Sequence, residues 1–130
     1  MSRGIRILYG NSDVHPFLAE EARAYVGEMA KRGIVIDLDI CGYLEVQDKL
    51  KANPNYDFVV IHNSAYRDSF AEAERCRRLS ENSIIVAEST IYPEDETRVL
   101  QHFDDYIRPL GKGWLEYLLE HHGFIPKTQQ

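Results

Sequence analysis

With 130 residues, 44% of them hydrophobic, the chain suits one compact domain able to bury a core, and two domains would each be too small. A net charge of −6 argues against a nucleic-acid surface, and no apolar run approaches the ~18 residues of a membrane span. Cys41 and Cys76 lie far apart without CxxC spacing, so two reduced thiols in a cytoplasmic protein are expected. At the amino terminus residues 1–4 run straight into a strand pattern, so no signal peptide is expected. Ile5–Tyr9 is a short apolar strand broken by Gly10. Asn11, Ser12 and Asp13 form a helix entry in which Ser12 or Asp13 caps free backbone N–H groups. The helix, residues 15–32, sets Leu18, Ala22, Tyr25, Val26 and Met29 on one face, and Gly33 ends it.

Residues 34–40 alternate, with Ile36, Leu38 and Ile40 on one side and Asp37 and Asp39 on the other, as a strand with one wet face does. A helix over residues 43–52 carries Leu44 and Leu50 and stops before Pro54. Residues 58–61 are solidly apolar, as a strand covered on both faces should be. A helix over 68–79 carries Arg75, Arg77 and Arg78, read as a solvated basic face. Residues 84–87 form another buried strand, 93–102 a helix, and 105–108 a more polar strand. The final helix, 112–122, aligns Trp114, Leu115, Leu118 and Leu119 for burial, and His121 and His122 complement its negative end. The domain is expected over residues 1–125, with 126–130 as a frayed tail.

Five strands alternating with five helices predict a doubly wound α/β domain with a parallel sheet. The first, third and fourth strands are the most apolar and belong at the centre, whereas the second and fifth belong at the edges. That gives the order 2-1-3-4-5 of flavodoxin-like folds, whose ligand crevice opens between the first and third strands. Its walls are residues 11–15, 62–66 and 88–90.

The segments RILYGNSD, NYDFVVIHN, SIIVAES and DDYIRP, taken in that order within residues 6–123, are similar to strand segments of response-regulator receiver domains. RILYGNSD resembles an opening strand RILVVDDD, and NYDFVVIHN a third strand PDLVLLD ending in the phosphorylated aspartate. SIIVAES resembles PIIVLTA, and DDYIRP resembles the closing Asp-Asp-Tyr-x-x-Lys-Pro. The resemblance puts Asn11 and Ser12 where receivers hold magnesium with an acidic pair, with Asp13 one place further on. His62 stands for the phosphoacceptor, followed by Asn63. Glu88 stands for the hydroxyl residue, with Ser89 and Thr90 directly after it. Arg108 stands for the lysine, with Pro109 retained and one residue missing after Tyr106. Aspartyl phosphorylation needs a carboxylate nucleophile, carboxylate ligands for a divalent ion and a cation, and only the cation is recognisable.

The expected function is therefore a non-phosphorylatable receiver-like domain that acts by protein contact, with itself or a partner, and needs no cofactor. An expected ion pair joins Arg108 to Glu88 inside the emptied pocket. Tyr92, Arg98, Tyr106 and Tyr117 mark a docking surface around the fourth and last helices. The alternative is a small metal- or ligand-binding enzyme that uses His62, Asp13 and Glu88 at the crevice. Joined by His15, these imidazoles and carboxylates suit zinc, manganese or iron better than magnesium. A flavin is disfavoured because the loop YGNSDVH lacks a Thr/Ser-rich phosphate cradle.

Overall fold

A computed structural model of the chain describes residues 4–62, 69–88, 93–107 and 113–126. Within them run β1 (Ile5–Tyr9), α1 (Pro16–Lys31), β2 (Ile36–Ile40), α2 (Val46–Ala52), β3 (Phe58–His62) and α3 (Ser69–Leu79). β4 (Ile84–Glu88), α4 (Glu96–His102), β5 (Asp105–Ile107) and α5 (Trp114–His121) complete the order. The strands form a five-stranded sheet, β2-β1-β3-β4-β5, with every adjacent pair parallel. The fold class, the strand order and both edges agree with the sequence reading. Among the described residues no helix is long and apolar enough to cross a membrane.

Alternation along the strands explains the two layers of core. Ile7, Tyr9, Phe58, Val60 and Val86 face α1 and α5, where they meet Leu18, Met29, Trp114, Leu115 and Leu118. Leu8, Val59, Ile61, Ile85 and Ala87 face the other way, onto Val46, Leu50, Cys76, Val99 and Phe103. β3 is buried along its whole length, which is why its sequence shows no polar alternation. Burying each of these large side chains stabilises the fold by roughly 1.5–3 kcal/mol.

Several local expectations change. The first helix begins at Pro16, whose missing N–H costs nothing there, and neither Ser12 nor Asp13 caps it. The N-cap is His15, without a side-chain cap bond, and the Asn11 carbonyl closes the preceding turn by accepting from the His15 N–H at 2.9 Å. Gly33, at φ 82°, ends α1 as expected: its N–H donates to the Ala30 carbonyl and that of Ile34 to Met29. The second helix is α-helical only from Val46. Leu44, expected on that helix, lies in the 3-10 turn Tyr43–Glu45 and is 79% exposed. Val46 and Leu50 form the buried i, i+4 pair instead.

The basic face of α3 is engaged rather than merely solvated. Arg77 donates to both carboxylate oxygens of Asp104 at 3.2 Å and to the His102 carbonyl at 2.8 Å. Arg75 pairs with Glu72 at 3.4 Å, and Arg75, Arg78 and Lys51 line an open groove. His122, the C-cap of α5, bonds Asp105 through Nε2 at 2.8 Å, while His121 stacks on Tyr117. Cys41 and Cys76 are free and buried.

Candidate functional site at the carboxyl ends of the central strands

β1, β3 and β4 end together, and in-register pairing sets His62 beside Glu88. The turn after β1 brings Asn11 and His15 over the same strand ends, because Gly10 still follows the sheet. Its N–H donates to the Val60 carbonyl at 2.9 Å, and a methyl there would strike the Val46 side chain. These strand ends are where a sheet of this order has its topological switch.

Glu88 is its centre. The residue has no solvent exposure, and a carboxylate so placed needs donors. Oε1 lies 2.5 Å from His15 Nδ1, accepts from Asn11 Nδ2 at 3.0 Å, and receives the Tyr9 hydroxyl at 3.4 Å. Tyr9 also donates to the His15 carbonyl at 3.0 Å, fixing the turn beneath the imidazole. Burial pushes the Glu88 carboxyl above the usual range, opposed by His15, Asn11 and Tyr9. Burial, then the negative charge of Glu88, pushes the Tyr9 hydroxyl far up, so it stays a donor.

His62 closes the other side. Its Nε2 stands 3.9 Å from Glu88 Oε2, and its ring is 5.1 Å from that of His15. Burial, then the neighbouring His15, pushes His62 below the ordinary imidazole value and favours the neutral ring. One ligand atom from each of His15, His62 and Glu88 lies within 4.8 Å of the other two. Glu88 Oε2 and Asn11 Oδ1 are buried without a hydrogen-bond partner among the described residues.

Three of the four candidate ligands therefore converge, and Asp13 does not join them. Its carboxylate turns away, with Oδ1 accepting the Tyr43 N–H at 3.2 Å. Asn11 and Ser12 do not fit magnesium either: one amide oxygen and one hydroxyl supply too few of the oxygens that a hard ion requires. Asn63, Ser89, Thr90, Arg108 and Pro109 lie outside the described residues, as does the expected Arg108–Glu88 ion pair. Tyr92 and residues 127–130 lie outside them too. Of the docking set, Arg98 is exposed and lies over the Phe70 ring at 5.3 Å, and Tyr117 is 43% exposed. Tyr106 packs partly buried against the core, because it sits on the inner side of a covered strand.

Reasoning from sequence missed Tyr9, hidden in a run that reads as plain apolar strand. It also missed Glu72, which is buried against Gln47, whose amide donates to its Oε2 at 2.9 Å. An acid falling among Ala73 and Cys76 on the apolar face of a helix was the available signal.

No family model matches this sequence, and no curated protein does. The fold has clear structural counterparts. An adenylate cyclase from Rhodopirellula baltica superposes with a TM-score of 0.68 at 12% identity, over 93% of this chain and 87% of that one. HP1043, an orphan response regulator of H. pylori, gives 0.66 at 19% identity, over 95% and 98%. A protein assigned to pilus assembly (CpaE) from Burkholderia thailandensis gives 0.66 at 15% identity, over 93% and 99%. At such identities the shared property is the receiver-like fold.

Proposed function

We propose that this chain is a receiver-like regulatory domain that takes no aspartyl phosphate and acts by binding protein. One observation carries the reading: an imidazole, His62, ends the central strand, and the adjoining carboxylate, Glu88, is fully buried and held by His15, Asn11 and Tyr9. A nucleophile must reach its donor, and Glu88 is enclosed. The protein-binding part is supported by exposed Leu100 and Tyr117 on α4 and α5 and by Arg98 held over Phe70. Tyr and Arg give much contact energy for little ordering entropy.

Incubation with acetyl phosphate and magnesium, followed by intact-mass measurement, is expected to show no phosphoryl adduct. An adduct mapping to Asp13 or Glu88 overturns the reading. An acid-labile, base-stable adduct on His62 replaces it with a phosphohistidine role.

A further inference from the structure

We infer that His15, His62 and Glu88 form a binding site for a divalent transition cation of the zinc type. The donor set comes first. Two imidazoles and one carboxylate are the borderline ligands that select such ions, and three protein ligands leave one tetrahedral position for water. The spacing comes second. Ligands about 2.0–2.1 Å from a tetrahedral zinc stand roughly 3.3 Å from one another. Here Glu88 Oε1 is 2.5 Å from His15 Nδ1, Oε2 is 3.9 Å from His62 Nε2, and all three donors fall within 4.8 Å. Side-chain adjustment of about 1–1.5 Å opens the first pair and closes the rest.

The third observation is an acceptor without a donor. Glu88 is wholly buried, yet Oε2 has no hydrogen-bond partner among the described residues, an arrangement that is costly in a closed interior. A cation between Oε2 and the two rings satisfies it and neutralises the buried charge. Asn11 and Tyr9, which already donate to Oε1, then act as the outer shell that orients the carboxylate. His15 is the gate to solvent, since its side chain keeps 22% exposure while that of Glu88 has none.

A second group, Asp105, His121 and His122, has similar spacing but lacks this vacancy of bonding. Asp105 accepts the Tyr117 hydroxyl on both oxygens at 3.2 Å, the Tyr106 N–H at 2.7 Å and a bond from His122 at 2.8 Å. It serves as the internal control.

The inference rests on the reading that the pocket has left phosphoryl transfer, and its test is independent of that reading. The full chain, without a histidine tag, is titrated with Zn²⁺ by calorimetry and with Co²⁺ by visible absorption. One ion per chain is expected, with the intense bands of four-coordinate cobalt. His62→Ala, His15→Ala and Glu88→Gln should each weaken binding by at least about tenfold, since even outer-shell changes cost that much. His121→Ala/His122→Ala should leave it unchanged, and near-ultraviolet circular dichroism checks that each variant is folded. Absence of binding, binding lost only in the His121/His122 variant, or equal affinity for Mg²⁺ overturns the assignment. A chain that binds zinc and also takes an aspartyl phosphate would break the earlier reading and leave this one standing.

Discussion

Glu88 survives without solvent because Tyr9, Asn11 and His15 all turn toward one of its oxygens. Glu88→Ala orphans the buried Asn11 amide, while Tyr9 keeps the His15 carbonyl, and is expected to lower stability by about 2 kcal/mol in urea unfolding. Glu88→Gln keeps an acceptor and should cost about 1 kcal/mol or less by the same measurement. The thiol of Cys76, fully buried, titrates at the other end of the pH scale: burial, then Glu72, pushes it up to about 12. A group raised in the folded state stabilises fully below its unfolded value and loses that stabilisation as pH climbs through the folded one. The urea midpoint should therefore hold to about pH 9 and fall between 9 and 12, less steeply in Cys76→Ala. Native Cys76 should also resist thiol reagents at neutral pH. His62 and Glu88 were legible in the sequence because strand ends in this topology are where ligands sit. The roles of His15 and Asp13 were not, since they depend on which way a short turn aims two neighbouring side chains.

Among the elements, α2 shows most sharply what hydrophobic pattern can and cannot give. Leu44 and Leu50 were both read onto one helix, but Leu44 lies exposed in the 3-10 start and it is Val46 that is buried with Leu50. Leu44→Glu should shift stability by no more than about 0.5 kcal/mol, whereas Val46→Ala should cost about 2 kcal/mol. Thermal unfolding of the pair settles the comparison, and equal effects would mean the helix is rotated. Gly10→Ala should cost on the order of 2 kcal/mol, because its methyl meets fully buried Val46 and the strand end cannot retreat from β3. The edge strands were legible from their polarity, but β5 for a different reason than solvent. Asp105 is only 8% exposed and is polar because Tyr117 and His122 need a carboxylate. Polarity in a sequence marks a partner as readily as it marks water.

For the whole molecule, the expected behaviour is association through the surface of α4, β5 and α5. Arg98→Ala with Tyr117→Ala should weaken a dimer or partner complex by about 2 kcal/mol, read by sedimentation or pull-down. A strict monomer at high concentration that also recovers no partner would sink that expectation. The strand order was legible because five segments differ so plainly in apolar content, and an edge and a centre bury different areas. The partner was not, because an exposed Tyr or Arg looks the same in a sequence whether or not something covers it. The parallel sheet carries one more consequence, in time rather than energy. β1 pairs Ile5 with Ile36 and Ile7 with Phe58, and no hairpin shortens either search. Each ladder must wait for a long loop to close, so refolding should be slower than that of a helical bundle of equal size. During that wait the run Phe58–His62 lies uncovered, and the yield of refolded chain should fall as its concentration rises.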